Sequence, residues 1–172
     1  MRRVCALAPL AIIAACNFDG NPIGAAGDAG LPDARIDANP VVCTAPFAPS
    51  PDGCHAFPAA TGLASLSWAA ARAACQALGG DLPVLETGTE SAHVASAAIG
   101  QQRVWLGLTG TATNGANWTW VDGQTVAQKG LSLWVPGQPD ASDDCAMVRP
   151  DNNAQWSGRA CTNKLIVVCE KF

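Results

Sequence analysis

The chain has 172 residues, a formal net charge of −4 and a hydrophobic content of 49%, which is enough for one domain of ordinary size plus an appendage. Because it is mildly acidic and has no cluster of Lys and Arg, it lacks the basic surface that binds nucleic acid or attracts anionic lipid. Six Trp against four Phe and no Tyr indicate a small core built around a few large anchors.

The first fifteen residues have the pattern of an export signal. Met1-Arg2-Arg3 is a short positive region, and Val4 to Ala15 form an apolar run of twelve residues. A helix needs about 20 residues to cross a membrane, so this run is typical of a signal peptide. Its end, Ile13-Ala14-Ala15-Cys16, resembles a bacterial lipobox. We interpret 1–15 as a lipoprotein signal peptide and Cys16 as the lipidated residue; the alternative is an ordinary signal peptide in which Cys16 has no role.

A lipid anchor would place the protein in a bacterial cell envelope, because two or more acyl chains hold a protein stably on a membrane. Asn17 follows the lipidated Cys where inner-membrane retention usually has Asp, so we expect the outer membrane or the cell surface. Residues 16–42, which begin at the lipidated Cys, are rich in Gly, Ala, Pro and Asp and show no apolar period. They predict a flexible linker that joins the anchor to a domain over 43–172.

The cysteines of this domain form an even set. In an exported chain such a set is typical of disulfides, and spacing alone leaves fifteen pairings open. A zinc site using Cys54 and His55 is disfavoured, because there is no C-x-x-C pair and the compartment is oxidising. The six residues are Cys43, Cys54, Cys75, Cys145, Cys161 and Cys169.

Two helices are predicted first. Between Ser65 and Gly80, apolar residues recur at spacings of three and four, with Ser65 or Ser67 as the cap and Gly79-Gly80 as the stop. A second helix is predicted over 89–99, with a capping box of Thr87 and Glu90. His93 lies off the apolar stripe of this helix and is expected to be solvated.

Short strands come after the helices, separated by turns rich in Gly, Asn and Asp. Helices first and strands later indicate an α+β domain with antiparallel sheet. The predicted strands are 103–109, 118–121, 131–134, 146–148 and 165–169.

A colinear set of motifs resembles the C-type lectin-like domain in its long form. No single motif is specific, but their order covers about Cys43 to Phe172. The motifs are Trp68 to Cys75, Gly79-Gly80-Asp81-Leu82 with Glu90, Trp105-Leu106-Gly107-Leu108, Trp118-Thr119-Trp120-Val121-Asp122-Gly123, Trp134 to Asp140, Asp144-Cys145, Trp156 with Cys161, and Val168-Cys169-Glu170.

The resemblance implies a fold of two helices packed on small antiparallel sheets, with a long surface loop and three disulfides. It implies the pairs Cys43–Cys54, Cys75–Cys169 and Cys145–Cys161. It also implies structural roles in the core, rather than sugar stacking, for Trp68, Trp105, Gly107, Trp120, Trp134 and Trp156.

In the family's sugar-binding members a calcium ion is held by side-chain oxygens, and Gln138-Pro139-Asp140 resembles the galactose-preferring form of that motif. Asp143 stands two residues before Cys145, at another ligand position of the family. The pattern then breaks, because Ser157 and Gly158 follow Trp156 where binding members carry Asn and Asp. Weaker candidates that could compensate are Asp151, Asn152 and Asn153. We therefore expect weak calcium binding or none.

No catalytic motif of a hydrolase, metalloprotease, nucleotide-binding or dinucleotide-binding enzyme is present, so we expect no enzyme. The function predicted from the resemblance is a membrane-anchored surface lipoprotein that binds a ligand such as a carbohydrate, with a degenerate calcium site. The alternatives are a calcium-independent module for protein binding or adhesion, and a structural envelope lipoprotein without a small ligand.

Overall fold

The computed structural model describes residues 42–111 and 114–172. The predicted signal peptide, the lipidation site Cys16 and nearly all of the linker lie outside the described residues. Within the described ranges no helix combines the length and the apolar character that a membrane crossing needs.

Two antiparallel sheets organise the domain. The first has three strands in the order β1-β2-β7, and the second has four in the order β4-β3-β5-β6. The first sheet therefore pairs a strand from the start of the domain with the last strand of the chain. The strands are β1 Ala48–Ser50, β2 Gly53–Ala56, β3 Val104–Thr109, β4 Thr119–Trp120, β5 Cys145–Arg149, β6 Gln155–Arg159 and β7 Cys169–Lys171.

Four α-helices lie between these strands. Two of them are single turns, so the architecture keeps the two principal helices that the sequence predicts. The helices are α1 Pro58–Thr61, α2 Trp68–Ala77, α3 Gly88–Ala95 and α4 Val126–Lys129, with short 3₁₀ turns at Gly115–Asn117 and Pro150–Asn152.

Helix α2 is tied to the second sheet by two indole groups. Trp68 Nε1 donates to the carbonyl of Leu106 at 2.7 Å, and Trp105 Nε1 donates to the carbonyl of Leu66 at 2.8 Å. Each bond gives a large apolar side chain a partner for its only polar atom. The two bonds therefore fix the first residue of α2 and the segment just before it against β3.

Helix α3 begins as predicted and ends four residues early. Thr87 Oγ1 accepts from the backbone N–H of Glu90 at 3.0 Å, as an N-cap should. The helix closes at Ser96, and the next backbone bonds span three residues instead of four, from Ala97 to Val94 and from Ala98 to Ala95. Ile99, the last residue of the predicted helix, is 80% exposed.

The strand predicted over 131–134 is wrong. Trp134 makes only an isolated bridge to Trp156, and the segment is otherwise irregular. The last predicted strand, 165–169, lies mainly before β7, which runs over Cys169–Lys171. Strand β6 was not predicted, and β1 and β2 were expected only as the N-terminal hairpin that the family resemblance implies.

The core is built around indole rings. Trp105, Trp118, Trp120 and Trp156 are buried, and Trp134 is half-buried against Trp118 and Trp156. Edge-on contacts join the rings, with centroids 5.0 Å apart for Trp118 and Trp134 and 5.3 Å apart for Trp120 and Trp156. These tryptophans are therefore packing residues of the sheet, and the buried ones are not available for stacking on a ligand.

The disulfides are those that the family resemblance implies. Cys43–Cys54 closes the β1–β2 hairpin, Cys75–Cys169 joins α2 to β7, and Cys145–Cys161 joins the start of β5 to the turn after β6. One disulfide thus lies at the start of the domain, one ties α2 to the last strand, and one lies beside the long loop.

Candidate ligand-binding site on the long loop

The long loop, residues 122–144, connects β4 to β5. Helix α4 lies within it and has a capping box, since Thr125 and Gln128 each bond to the other's backbone N–H. Lys129, at the end of α4, bonds to Glu86 and Asp122 at 2.9 Å each. Burial opposes the charged amine, but these two hydrogen bonds outweigh it and raise the pKa of Lys129. The first half of the loop is therefore held on the domain.

The Gln138-Pro139-Asp140 motif lies in the second half. The Gln138–Pro139 peptide bond is cis, and the backbone N–H of Gln138 donates to Val135 at 2.9 Å. The side-chain oxygen Oε1 of Gln138 accepts from the Ser157 hydroxyl at 3.0 Å and from the Gly158 N–H at 2.6 Å. This amide oxygen therefore faces strand β6 and already has two protein donors.

Asp140 and Asp143 form a closed turn. Asp140 Oδ1 accepts from the Ser142 N–H at 2.8 Å and from its hydroxyl at 2.6 Å. These bonds lower the pKa of Asp140, which stays an exposed carboxylate. Asp143 Oδ2 accepts from the Asp140 N–H at 3.1 Å. Burial to 7% exposure raises the pKa of Asp143, and the bond from Asp140 only partly offsets this.

The carboxyl of Asp143 fills the space that a side chain at position 158 would occupy. A Cβ built on Gly158 would lie 2.2 Å from Asp143 Oδ2 and 2.3 Å from its Cγ. Contacts this short are sterically excluded. The glycine found where the family's binding members carry Asp is therefore what allows Asp143 to fold onto β6.

These residues do not fit a calcium ion in this arrangement. Calcium takes six to eight oxygen ligands, whereas Gln138 Oε1 and Asp140 Oδ1 each already accept two hydrogen bonds from the protein. Asp143 is buried against Gly158, with its Oδ2 in the space that a Cβ at position 158 would occupy, so its carboxyl is packed on β6 and not open to an ion. The site is closed by protein donors.

The weaker candidates are not brought to this place. Asp151, Asn152 and Asn153 lie in the turn between β5 and β6, at the other end of β5 from Asp143. A five-residue strand separates its two ends by roughly 17 Å. Asp151 instead forms an ion pair with Arg103, at 3.1 Å between Oδ2 and Nη2.

The sequence did not predict the three residues that donate hydrogen bonds to Gln138 and Asp140. Ser142 follows Asp140 at the spacing of a side-chain-to-backbone turn, a signal that was readable in Asp-x-Ser. Ser157 and Gly158 were recognised only as absent calcium ligands. No local signal shows that they would become donors to Gln138, because that bond joins residues twenty positions apart.

Comparison with known proteins gives consistent matches. The family model for the lectin C-type domain matches residues 64–171. The mouse CD209 antigen-like protein D is 30% identical over 107 residues, which cover 61% of this chain and 44% of that protein. The chain therefore spans less than half the length of this relative.

Two solved structures have the same fold. The carbohydrate-recognition domain of cow CD23, determined in the presence of an oligosaccharide, superposes with a TM-score of 0.62 at 24% identity, covering 77% of this chain and 97% of that one. A calcium-independent type II antifreeze protein superposes with a TM-score of 0.61 at 24% identity, covering 76% and 95%. With a family match over more than half of its length, this chain belongs to the C-type lectin domain family.

Proposed function

We propose that this chain is a non-enzymatic binding protein whose C-type lectin domain recognises carbohydrate without a calcium ion. The observation that carries the proposal is the closed network in which Gln138, Asp140 and Asp143 bond to protein donors instead of presenting open ligand oxygens. The network keeps the family's ligand-bearing loop in one shape without a metal. A preformed polar surface binds with a smaller entropic penalty than a loop that must be ordered first.

The surface of the loop is suited to a hydroxyl-rich ligand. Asp140 presents a charged carboxylate, and Ser142 and Asp144 are exposed beside it. A few convergent polar groups on a rigid scaffold are what fix a small polar ligand. The disulfide Cys145–Cys161 supplies that scaffold directly after the loop.

The apolar surface argues against a protein partner at this loop. The exposed large hydrophobic residues in the described part of the chain lie elsewhere, at Val42, Leu78, Ile99 and Phe172. Protein interfaces concentrate their binding energy in aromatic and aliphatic anchors at the centre of the contact. The loop offers no exposed anchor of this kind, and its Trp134 packs edge-on against Trp118.

A calcium titration tests the metal-independent part of the proposal. We expect millimolar calcium to change neither the Trp fluorescence nor the melting temperature of the wild-type chain. The double variant Ser157→Asn/Gly158→Asp should gain a calcium-dependent rise in melting temperature, because a side chain at 158 displaces the Asp143 carboxyl and restores the missing ligands. At a calcium concentration one hundred times Kd the gain would be about 2.7 kcal/mol. Stabilisation of the wild-type chain by calcium would contradict the proposal.

A glycan panel tests the ligand. Binding should persist in chelator, and Asp140→Ala should weaken it by roughly tenfold or more, since a hydrogen bond to a charged group contributes about 1.5–3 kcal/mol. Asp151→Ala is the matched control, because it removes a carboxylate from the β5–β6 turn and should leave binding unchanged. If the folded chain binds no glycan with or without calcium, the carbohydrate assignment is rejected.

The proposal includes the anchor: removal of residues 1–15, lipidation of Cys16 and display at the outer membrane or surface of a bacterial cell. It is supported by the positive start, the apolar run and the segment Ile13-Ala14-Ala15-Cys16. The family match covers 64–171 and does not bear on this segment. In a bacterial host given a clickable fatty acid, we expect label on the wild-type chain and on Cys5→Ser, and none on Cys16→Ser. Label that survives Cys16→Ser would refute the lipidation site.

A further inference from the structure

Three buried ionisable side chains meet away from the long loop. His55 lies on β2, Glu90 on α3 and Glu170 on β7, with exposed fractions of 1%, 0% and 6%. One potential ligand atom from each lies within 4.8 Å of the others, and His55 Nε2 is 3.6 Å from Glu90 Oε1. We call these three residues the His-Glu-Glu cluster.

The pairing of the first sheet explains how two of them meet. His55 lies directly opposite Glu170 in the antiparallel β2–β7 pair. Side chains of opposed residues in such a pair share one face of the sheet. Cys54 points to the other face, where it pairs with Cys43, so it does not join His55 in a metal site.

The third member comes from the capped end of α3. Glu90 Oε2 accepts from the Glu86 N–H at 2.8 Å, and Glu170 Oε2 accepts from the Val84 N–H at 2.8 Å. Each carboxylate is thus oriented through one of its oxygens by the segment that leads into the helix. Both carboxylates are held in position before any ligand binds.

Three other polar atoms of the cluster lack hydrogen-bond partners. Glu90 Oε1 and both ring nitrogens of His55 are buried without one. Among the described residues, the ion pairs of Lys and Arg go to other acids, none of them to Glu90 or Glu170. Leaving such groups buried and unpaired is costly unless something binds them.

We propose that His55, Glu90 and Glu170 bind one divalent transition metal ion, with zinc as the best fit. Imidazole nitrogen and carboxylate oxygen are zinc ligands at about 2.0–2.2 Å, so two ligands of a tetrahedral ion lie roughly 3.4 Å apart. The 3.6 Å between His55 Nε2 and Glu90 Oε1 needs little change to reach this spacing. Two carboxylates and a neutral imidazole also balance the charge of a divalent cation.

The imidazole decides the class of metal. Calcium and magnesium are hard cations that take oxygen ligands, whereas imidazole suits zinc and its first-row neighbours. An ion bound here joins β2 and β7, which come from the two ends of the domain, to helix α3. Its role is therefore structural, and it is independent of the carbohydrate proposal for the long loop.

Metal titration of the full chain, prepared without an affinity tag and stripped with chelator, tests the site. We expect one cobalt ion per chain with the visible absorption of tetrahedral coordination, displacement of cobalt by zinc, and a higher melting temperature with zinc. His55→Gln should weaken zinc binding by at least roughly a hundredfold. Loss of a residue that only hydrogen-bonds to a metal ligand already weakens binding by about 10–100-fold, and loss of a ligand itself should have a larger effect. His93→Gln is the matched control, because His93 is the only other histidine and lies outside the cluster.

A measurement on a folded chain covers the case in which His55→Gln does not fold. In the His93→Gln variant the single imidazole is that of His55, and zinc should shift its nitrogen resonances to those of a metal-bound ring. Absence of cobalt and zinc binding at micromolar concentrations would overturn the proposal. So would zinc binding that survives His55→Gln, or a site that prefers calcium to zinc.

Discussion

At the scale of single residues, burial divides the acids of this domain into two groups. Asp140 is exposed and its pKa is lowered by hydrogen bonds from Ser142, so it remains charged. Burial raises the pKa of Glu90 and raises that of Glu170 to about 8. Burial also lowers the pKa of His55 to about 4, and the nearby His93 adds to this effect. His93 is itself half-buried, with its ring centroid 5.6 Å from that of His55, so the expectation of a solvated histidine was wrong.

These shifts predict a pH dependence for the metal-free protein. Glu170 has a pKa of about 8 in the folded state against 4.5 as its ordinary value, so the folded chain binds the extra proton and stability falls as pH rises through this interval. His55 has a folded pKa of about 4 against 6.5, so stability rises with pH from 4 to 6.5. The two effects oppose each other between pH 4.5 and 6.5, and above pH 6.5 the loss from Glu170 is no longer opposed by His55.

The measurement is urea unfolding in chelator at pH 6.5 and pH 8. The wild-type free energy of unfolding should fall by about 1–2 kcal/mol over this interval, since one proton contributes about 1.4 kcal/mol per pH unit. Glu170→Gln should show little of this fall, because Gln has no proton to lose and its oxygen can still accept from Val84. Asp140→Asn, which alters an exposed acid, should leave the fall unchanged. Equal profiles for wild type and Glu170→Gln would contradict the assignment.

At the scale of elements, the sequence predicted those parts whose signal is local. The spacing of Trp68, Ala71 and Cys75 predicted α2, and the strand predicted over 103–109 agrees with β3 to within one residue at its start. The strand prediction for 131–134 was wrong because this segment makes only an isolated bridge and no continuous ladder of hydrogen bonds. The backbone N–H of Trp156 donates to the carbonyl of Leu133 at 2.7 Å. Strand β6, with Ser157 and Gly158 at its centre, has low intrinsic strand preference and is formed by its pairing with β5.

The candidate site also has parts that local sequence signals predict and parts that depend on tertiary pairing. The Gln138-Pro139-Asp140 motif could be located from its resemblance to the family's motif, and Asp143 from its place two residues before Cys145. Their bonding to Ser157 and Gly158 could not be predicted, because β6 reaches the loop only through tertiary pairing. The His-Glu-Glu cluster was missed for the same reason, since His55, Glu90 and Glu170 are far apart in the chain.

Gly107 permits a close approach between β3 and the segment Leu82-Pro83. A Cβ at this position would lie 2.7 Å from the carbonyl oxygen of Leu82 and 2.8 Å from Val121. The backbone of Gly107 donates to Pro83 at 2.8 Å and accepts from Val121 at 2.7 Å, so the strand cannot move away without losing these bonds. Only glycine satisfies both conditions.

Gly107→Ala should therefore destabilise the domain by about 1–3 kcal/mol, the usual effect of overpacking. Gly88→Ala is the matched control, because Gly88 opens α3 and an added Cβ meets nothing within 4 Å. Alanine is the better helix former, so this control should be neutral or slightly stabilising. Chemical unfolding of the two variants measures the difference, and a Gly107→Ala variant as stable as wild type would show that β3 is free to shift.

At the scale of the whole molecule, the domain is closed by joining its two ends. Strand β2 pairs with β7, and Asp81 exchanges backbone bonds with Glu170 at 2.8 Å in each direction. The disulfide Cys75–Cys169 spans 94 residues, and Cys43–Cys54 spans only 11. In the chain-entropy description a longer loop restricts the unfolded chain more, so the first bridge contributes about 5 kcal/mol and the second about 3.

We therefore expect the two bridges to differ in their importance for folding. The double variant Cys75→Ala/Cys169→Ala removes a buried bridge between α2 and β7 and should leave the domain unfolded at physiological temperature. Cys43→Ala/Cys54→Ala opens only the β1–β2 hairpin and should still melt cooperatively, with a free energy of unfolding lower by about 3 kcal/mol. Thermal melting of both variants followed by circular dichroism decides the matter. His55 is held near Glu170 by the pairing of β2 with β7, which does not need the Cys43–Cys54 bridge. The second variant should therefore keep its zinc response. A cooperative melt of the first variant, or loss of folding in the second, would show that loop length does not govern the stability of this fold.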